Sequence, residues 1–568
     1  MAGNSRFGNG TWRLGLSILG GSLVVLSFAP FEMFYLSWIA LVPILWAVRG
    51  TGHKGHFFLG LVAGTVANAG TFWWICPMLM DFGHMGFFAS GLLTMLLVVY
   101  QGLVFALWLW LLSYVRKWVR LSNWILVPLV FIVAEYSVWF IFPWYYANSQ
   151  AAWVPMIQVC ELGGVGLLDF LLAMINGALF DSLVAWRLGR KKAWVGSVIA
   201  FFVLVVIIVY GFVRIAQVDS QVARAETLRI GLVEADVGIW EKEDPRKIED
   251  NLVRHQRMST SVAHEGAELI VWPETAYWAP VTFATQKGSD SVSGYGHIPR
   301  DVTWIPPSSS VAPRHATEDR NEAVPIKDRT SPQRGFSTYL LFGSLTTRPN
   351  PESRSISHPG VDFLNSAILL DPNGRVLGIY DKVYRLMFGE YIPLGESFPF
   401  LYKWLPESAG VSAGSDVHVL QMGKYKLGVM ICYEDILAAF TRRIAAQRPN
   451  VLINLTNDAW FGKTPEPYLH LSLAVLRTVE SRLALVRATN TGISCFVDPS
   501  GRVLEHTSLE KAETLIRDVP MMNGVTPYQV LGDWPLWTSL FVLIVLLVRA
   551  GFTTTRSRQQ SDVVNGAS

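Results

Sequence analysis

The feature that most constrains this fold is a series of apolar stretches, each about as long as a membrane-spanning helix. A helix needs about 20 mostly apolar residues to cross the hydrocarbon core, because its backbone polar groups can be satisfied only within the helix. Seven stretches before residue 215 and one near the C-terminus approach or exceed this length. They cover residues 12–30, 34–48, 56–76, 87–114, 123–143, 163–186, 194–213 and 535–548. The sequence therefore predicts a polytopic α-helical membrane domain with eight spans, seven followed by one.

Composition and charge divide the chain into a lipid-facing and a water-facing part. Hydrophobic residues make up 51% of the sequence and charged residues 16%, which excludes an ordinary soluble protein. Residues 1–214 hold 12 Lys/Arg and 6 Asp/Glu, so 73 of the 91 charged residues fall on the other 354 positions. The net charge of +3 gives no reason to expect a nucleic-acid partner, and four cysteines exclude a disulfide scaffold.

These shifts predict four segments. The first is a membrane domain over residues 1–214, and the second is a water-facing domain over 215–533. An eighth helix follows at 534–551, and we expect the tail at 552–568 to be disordered and cytoplasmic.

The loops between the predicted spans alternate in charge, as the positive-inside rule requires. Loops 49–55, 115–122 and 187–193 contain nine Lys and Arg residues, whereas the loops near 31–33, 77–86 and 144–162 contain none. The N-terminus is therefore expected in the cytoplasm. Seven crossings then place residues 215–533 on the opposite side of the membrane.

From Thr227 onwards, short β-rich runs alternate with stretches of helical length, which predicts a layered α/β domain. Predicted strands are Leu228–Ala235, Glu268–Trp272, Tyr339–Leu345, Lys426–Ile431, Val451–Leu455 and Ile493–Val497, and predicted helices are 246–264, 435–447 and 467–487. Two Asp-Pro-x-Gly-Arg-Val segments, Asp371–Val376 and Asp498–Val503, predict hairpin turns. Residues 283–335 are rich in Ser, Pro, Arg and Asp and predict an insertion, either a lid or a segment without a role.

Among the cysteines, Cys432 has the most reactive sequence context. Cys76, Cys160 and Cys495 lie in or beside apolar runs, where a thiol packs as a small side chain. Cys432 instead falls on the turn between a predicted strand and a predicted helix, where a helix N-terminus stabilises a thiolate. This context alone is compatible with a nucleophile or with a buried structural thiol.

A nucleophilic thiol also needs a proton acceptor and a cation near the charge that develops during reaction. Glu274 ends the strand-like run Glu-Leu-Ile-Val-Trp-Pro, and Lys382 stands in Tyr-Asp-Lys-Val-Tyr, just before Phe-Gly-Glu390-Tyr-Ile-Pro. Each residue alone is compatible with a solvated surface charge. Together with Cys432 they predict a site.

In combination these motifs resemble the Glu–Lys–Cys triad of the nitrilase superfamily, and with the membrane frame they resemble its membrane-embedded branch, the apolipoprotein N-acyltransferase family. The motifs are Trp-Pro-Glu274, Asp-Lys382, Phe-Gly-Glu390 and Cys432-Tyr-Glu-Asp. Further matches are Asn457-Asp-Ala-Trp-Phe-Gly, His470, Arg487-Ala-Thr-Asn490 and Trp240. The resemblance implies an αββα sandwich on a bundle of eight helices.

The resemblance also implies roles for individual residues. Glu274 would be the general base, Cys432 the nucleophile, and Lys382 the group that stabilises the oxyanion. Supporting roles fall to Glu390, which would orient the triad, to Tyr433 and Glu434 beside the nucleophile, and to Trp240, which would line the acyl site or pack as an aromatic ring.

The same resemblance implies the substrates. A phospholipid would donate a fatty acyl chain, through a thioester on Cys432, to the N-terminal amine of a diacylated apolipoprotein. We expect a monomer in the bacterial inner membrane, with the catalytic domain on the periplasmic side. The sequence contains no metal-binding or phosphate-binding motif, so no metal and no cofactor is predicted.

Two alternatives remain open at this point. One is a membrane-tethered amidase, because the triad alone does not distinguish hydrolysis from acyl transfer. The other is a transporter with a ligand-binding outer domain, for which Glu135 and Asp169 are the main candidates for a polar path.

Overall fold

The computed structural model describes residues 8–189, 194–244, 246–282, 331–350, 360–395, 397–403 and 410–565. The chain divides into two compact units. One is formed by Met1–Gln217 with Thr526–Ser568, and the other by Val218–Val525. The predicted lid falls mostly on residues 283–330, which lie outside the described residues.

The first unit is helical. Its helices are α1 (Gly8–Ser27), α2 (Leu41–Val48), α3 (His53–Phe72), α4 (Ile75–Asp81), α5 (Phe87–Trp118), α6 (Asn123–Ser137), α7 (Val154–Ile157), α8 (Cys160–Arg187) and α9 (Val195–Val222). The chain returns to this unit after the second one, with α14 (Pro527–Leu531) and α15 (Trp534–Asn565). Helix α15 therefore continues past residue 552, where the sequence predicted a disordered tail; no Gly or Pro interrupts residues 552–565.

The number of membrane-crossing helices is the part of the fold prediction that the structure supports only in part. Five described helices are long and apolar enough to cross, and a sixth span is possible if α3 and α4, bent by 49°, form one crossing. The apolar segments Phe34–Val48 and Asn123–Ser137 are shorter. The difference has a local cause, because residues 138–143 continue the apolar run after α6 without helical structure.

Close packing of α3 against α5 depends on glycine. A methyl group on Gly64 would lie 2.4 Å from the carbonyl oxygen of Gly102, so the two backbones approach more closely than any larger residue would allow. Nearby, Gln101 Nε2 donates to Asn68 Oδ1 at 3.1 Å, and Trp144 Nε1 donates to the same oxygen at 3.1 Å. The buried polar groups of this region therefore satisfy one another.

The two buried acids of the helical unit hold a neighbouring backbone segment. Glu135 Oε1 accepts a hydrogen bond from the amide of Tyr146 at 3.3 Å, and Asp169 Oδ1 accepts one from the amide of Ala147 at 2.5 Å. Both amides belong to the 3-10 turn Tyr146–Gln150. These contacts give both acids a structural role beside this turn.

The second unit contains two β-sheets. The strands are β1 (Thr227–Glu234), β2 (Leu269–Val271), β3 (Tyr277–Thr282), β4 (Tyr339–Pro349), β5 (Val361–Leu370), β6 (Val376–Asp381), β7 (Leu420–Met422), β8 (Tyr425–Ile431), β9 (Val451–Asn457), β10 (Leu485–Asn490), β11 (Cys495–Val497), β12 (Val503–His506) and β13 (Glu513–Pro520). The first sheet has the order β13-β1-β2-β4-β5-β6 with β3 paired to β4, and the second has the order β12-β11-β10-β9-β8-β7. Parallel pairs run through the middle of each sheet, β1–β2–β4 and β8–β9–β10.

Helices cover the outer faces of these sheets. They are α10 (Ile239–Glu243), α11 (Ile248–His264), α12 (Ala438–Ala445) and α13 (Glu466–Ser481). Helix α11 contacts the first sheet and α12 the second, while strands of the two sheets contact each other in between. The predicted nitrilase-like α/β sandwich is therefore confirmed, and both Asp-Pro-x-Gly segments connect antiparallel strands, β5 to β6 and β11 to β12.

One predicted helix is too long. The sequence predicted a helix over 467–487, but α13 ends at Ser481 and residues Leu485–Asn490 form β10. Arg482 ends the helix with a left-handed φ of 55°. Every residue of β10 is buried between β9 and β11, so burial on both faces hides the alternation by which a strand is usually recognised.

Candidate active site

Glu274 lies just beyond the end of β2, on a turn that passes very close to β4. The amide of Gly343 on β4 donates to the carbonyl of Pro273 at 3.1 Å. A methyl group on Gly343 would lie 2.6 Å from Glu274 Cα and 2.5 Å from the amide nitrogen of Thr275. The missing side chain of Gly343 therefore allows the turn to hold Glu274 in place.

Lys382 follows β6 and is almost completely buried. Its Nζ lies 3.3 Å from Glu274 Oε1 and 3.0 Å from Glu390 Oε1. Burial lowers the pKa of Lys382, but the two carboxylates outweigh burial and hold its pKa well above the ordinary value. The ammonium group is therefore a permanent cation between two acids.

Asn365, on β5, is the polar contact of this cluster that sequence reasoning missed. Its Nδ2 donates to Glu274 Oε1 at 2.6 Å and to Glu390 Oε1 at 3.2 Å. The available signal was a polar residue in the middle of a strand that is otherwise mostly apolar and buried. Asn365 joins the same two carboxylates that Lys382 joins.

Glu390 has a second attachment that fixes its orientation. While Oε1 accepts from Lys382 and Asn365, Oε2 accepts from the amide of Leu386 at 2.7 Å. The carboxylate therefore joins Lys382 to the loop that follows it.

Cys432 directly follows β8 and is the first residue of the 3-10 turn Cys432–Ile436. Its φ is 50°, a left-handed conformation that costs a non-glycine residue energy, and such strain is common at sharp turns that present a nucleophile. The residue is only 8% exposed. The backbone thus presents the thiol at a strained strand end.

The protonation of Cys432 differs from the sequence expectation. Burial raises the pKa of Cys432 well above its ordinary value, the charge of Glu274 raises it further, and the charge of Lys382 lowers it. We expected a helix N-terminus to stabilise a thiolate, but Cys432 opens a single 3-10 turn, and α12 begins only at Ala438. A raised pKa favours the protonated thiol, so a base is needed to activate Cys432.

Glu434 connects the strand end that carries Cys432 to the loop that carries Lys382. Its Oε2 accepts from the amide of Ile431 at 2.8 Å, and its Oε1 accepts from the amides of Val383 and Tyr384 at 2.7 and 3.0 Å. The hydroxyl of Tyr380 donates to both oxygens at 3.0 and 2.9 Å. Burial raises the pKa of Glu434 to about 7, and these donors oppose that rise.

Tyr433 and Trp240 are more open to solvent than the other predicted residues. Tyr433 is half-buried, and Trp240 on α10 is 56% exposed. Helix α10 is attached to the Glu274 turn through Lys242, whose Nζ donates to the carbonyl of Glu274 at 3.1 Å and also contacts Thr275 Oγ1. Trp240 is therefore carried by an element anchored beside the acid.

A second buried ionic cluster includes Asp435 of the 3-10 turn that begins with Cys432. Arg487 on β10 pairs with Asp435 at 2.5 Å and Asp458 at 3.1 Å, and His470 on α13 contacts the same two acids at 2.9 and 3.1 Å. Asn454 completes the link, because its Nδ2 donates to the carbonyl of Cys432 at 3.2 Å and its Oδ1 accepts from Arg487.

The charges of this cluster balance. Burial and Arg487 lower the pKa of His470, but Asp435 and Asp458 outweigh them and raise it to about 10. Asp458, Glu466 and His470 also stand close enough to hold a metal ion, with ligand atoms within 4.8 Å of one another. Within the described residues, Arg487 and His470 each pair with both Asp435 and Asp458.

Comparison with known families defines the class of this protein. A model described as carbon-nitrogen hydrolase matches residues 337–525, which include Lys382, Glu390 and Cys432. Among solved structures, an amidase from Nesterenkonia sp. is 20% identical and covers 52% of this chain and 92% of its own, with a TM-score of 0.33. Saccharomyces cerevisiae Nit3 of the nitrilase superfamily is 15% identical over 52% of this chain and 90% of its own, with a TM-score of 0.35. Residues 337–525 of the second unit therefore match a carbon-nitrogen hydrolase domain.

Comparisons that include the helical unit identify the family more narrowly. A model described as apolipoprotein N-acyltransferase N-terminal domain matches residues 20–178. An apolipoprotein N-acyltransferase of Geobacter metallireducens is 30% identical over 532 residues, 92% of each chain. One from Azotobacter vinelandii is 27% identical over 545 residues, 93% of each chain. The chain belongs to the apolipoprotein N-acyltransferase family.

Proposed function

We propose that this protein transfers a fatty acyl chain from a phospholipid to the N-terminal α-amine of the diacylglyceryl-cysteine of apolipoproteins. Family membership across 92% of the chain supports lipoprotein N-acylation. The observation that carries the chemical proposal is the position of Lys382 Nζ, 3.3 Å from Glu274 and 3.0 Å from Glu390, in the electrostatic field of a buried thiol.

In the first half-reaction, Glu274 removes the proton from the neutral thiol of Cys432. The sulfur then attacks the carbonyl carbon of a phospholipid ester, and the ammonium of Lys382 stabilises the oxyanion of the tetrahedral intermediate. The ester C–O bond breaks, and the departing alkoxide takes the proton from Glu274. A lysophospholipid leaves, and a thioester remains on Cys432.

In the second half-reaction, the α-amine of the apolipoprotein attacks the thioester carbon. The carbon–sulfur bond breaks as the amide forms. Glu274 accepts a proton from the attacking amine and gives it to the departing sulfur, which regenerates the free thiol. The burial of Cys432 limits the access of water to the thioester, which favours this aminolysis over hydrolysis.

The supporting residues have distinct tasks in this scheme. Glu390 pairs with Lys382, so that the ammonium group is shared between two carboxylates. Glu434 joins the loop that follows Lys382 to the strand end that carries Cys432. Tyr433 borders the nucleophile, and Trp240 lines the acyl site. Within the described residues the reaction uses side chains alone.

We also propose eight membrane crossings. Five long helices, the bent pair α3–α4 and the two shorter apolar segments add up to this number if each crosses. The charge alternation of the loops supports a cytoplasmic N-terminus. Residues 215–533 then lie on the periplasmic side of the bacterial inner membrane. A site open to the membrane surface would spare the lipid chains exposure to water, which costs about 0.8 kcal/mol per methylene. We propose that the protein acts as a monomer.

The covalent step can be tested by intact-mass measurement of the full-length protein in detergent. Incubation with phospholipid should add one fatty-acyl mass that neutral hydroxylamine removes. Cys432→Ala should gain no mass. Cys495→Ala should gain it, because it is the matched control at a buried thiol that is not part of the proposed triad. An unchanged mass on active protein would overturn the thioester.

Adding a diacylated lipopeptide tests the transfer step. The acyl mass should leave the protein and appear on the peptide α-amine. If Cys432→Ala still triacylates the peptide, with no other transferase present, the proposed function is wrong.

A further inference from the structure

An apolar groove lies on the surface of the helical unit, between α1, α2 and α8. Its volume is about 550 Å³, within the range of sites that hold a drug-sized or lipid-sized ligand. The groove is lined by Trp12, Gly15, Leu16, Leu19, Val42, Pro43, Trp46 and Leu183. Such a lining fits a hydrocarbon chain.

Three arginines lie against the two tryptophans of this groove. The guanidinium carbon of Arg13 is 4.8 Å from the ring centroid of Trp12. Those of Arg49 and Arg187 are 5.6 and 5.2 Å from the ring centroid of Trp46. Cation–π contacts of this kind hold the charged groups on the same rings that line the apolar surface. Charge and groove are therefore continuous.

These positive charges are not neutralised by the protein in the part of the chain that the structure describes. No carboxylate there forms an ion pair with Arg13, Arg49 or Arg187. Arg13 Nη1 donates to the carbonyls of Ala47 at 2.5 Å and Arg49 at 2.8 Å, which fixes it at the end of α2 and leaves its other donors available. Arg49 and Arg187 are exposed.

We propose that this groove binds one anionic phospholipid, with its phosphate at Arg13, Arg49 and Arg187 and one acyl chain along the apolar lining. Planar guanidinium groups offer paired N–H donors that match phosphate oxygens. A zwitterionic headgroup carries its own cation, which three arginines would repel, so charge complementarity selects a net negative lipid. Under the topology proposed above, this lipid belongs to the cytoplasmic leaflet. The site is separate in sequence from the acyl-donor site at Cys432, which lies in the other unit.

Native mass spectrometry of the full-length protein tests this directly. The protein in detergent is titrated with phosphatidylglycerol and, separately, with phosphatidylcholine of the same chain length. We expect one phosphatidylglycerol to be retained in preference to phosphatidylcholine. The double variant Arg49→Gln, Arg187→Gln should bind phosphatidylglycerol about tenfold more weakly, since each basic residue near a membrane surface contributes severalfold to anionic-lipid binding.

Two further variants make the result specific. Lys117→Gln with Arg120→Gln removes the same charge from exposed positions at and just beyond the end of α5, on the same predicted side, and it should keep the preference. Gly15→Phe fills the groove without changing charge, and nothing stands within 4 Å of a Cβ at this position, so the helix should tolerate it. This variant should lose phosphatidylglycerol binding with all three arginines intact.

Equal retention of the two lipids by the unmodified protein would overturn the proposal. So would an equal loss in the Lys117, Arg120 variant, because binding would then follow total charge, and so would full binding by Gly15→Phe, because the groove would then be irrelevant. None of these outcomes depends on acyl transfer, which is measured separately at Cys432.

Discussion

Asn365 donates a 2.6 Å hydrogen bond to the carboxylate of Glu274, and the same amide nitrogen reaches Glu390 at 3.2 Å. Two acids that would otherwise repel each other are thus held around one ammonium group by a neutral donor and a cation. Asn365 is 4% exposed, so water does not readily replace it. The position of the proposed base depends on this residue.

Asn365→Ala should slow acylation of Cys432 by about 10- to 100-fold, because a lost hydrogen bond to a buried charge costs roughly 1.5–3 kcal/mol. The measurement is the rate at which the acyl mass appears on full-length protein with saturating phospholipid. Asn373→Ala, in the exposed turn between β5 and β6, is the control and should acylate at the normal rate. A normal rate in Asn365→Ala would show that Lys382 alone positions Glu274.

Gly343→Ala should damage the site through sterics alone. The added methyl would meet Glu274 Cα at 2.6 Å, so the turn must shift, at a cost of about 1–3 kcal/mol for overpacking. We expect acylation to fall at least tenfold while the protein still folds. Gly238→Ala, where nothing stands within 4 Å of the new methyl, should retain activity. Full activity of Gly343→Ala would mean that the Glu274 turn tolerates movement.

The sequence could predict the proposed triad because the motifs around Glu274, Lys382 and Cys432 in combination resemble those of the nitrilase superfamily. Glu274, Lys382 and Cys432 all stand at or just beyond strand ends, where a sheet commonly presents functional groups. Asn365 could not be found in this way, because it lies within β5 and its partners are 91 and 25 residues away. Only the folded register of β5 brings it to the carboxylates.

Other parts of the fold show where apolar pattern stops being informative. Residues 138–143 are apolar yet leave the helix that the pattern extended through them, and Leu485–Asn490 are buried on both faces yet form a strand. In both places hydrophobicity reports burial and leaves the type of secondary structure undetermined. The hairpin turns were predictable, since Pro and Gly at fixed positions set backbone angles directly.

Glu434→Gln should separate a positioning role from a chemical one. The glutamine side chain has only one acceptor oxygen, so whichever way it is oriented, the amide of Ile431 or those of Val383 and Tyr384 lose their acceptor. A buried unsatisfied amide costs about 1–3 kcal/mol. We expect a lower thermal midpoint together with slower acylation. Glu249→Gln, on the exposed face of α11, should change neither.

If Glu434→Gln slowed acylation without any change in thermal midpoint, the carboxylate would act in the reaction instead of joining the two loops. Its raised pKa of about 7 makes this distinction worth measuring. Acylation rates between pH 6 and 8 would then follow the titration of Glu434 in the unmodified protein and would be flat in the variant.

His470 should make the stability of the protein fall at alkaline pH. Its folded pKa of about 10 lies above the ordinary value of 6.5, because Asp435 and Asp458 outweigh burial and Arg487. Protonated His470 therefore stabilises the fold fully below pH 6.5, and this contribution is lost as pH rises through 10. The linked free energy amounts to at most roughly 5 kcal/mol. His470→Gln removes the titrating group, so it should be less stable at pH 6.5 and should show a flatter decline between pH 6.5 and 10. His264→Gln, at an exposed position, should follow the unmodified protein throughout.

The measurement is the thermal midpoint in detergent between pH 6.5 and 10. If His470→Gln and the unmodified protein lost stability in parallel, the alkaline loss would come from another group. Lys382 with its two carboxylates would then be the next group to test.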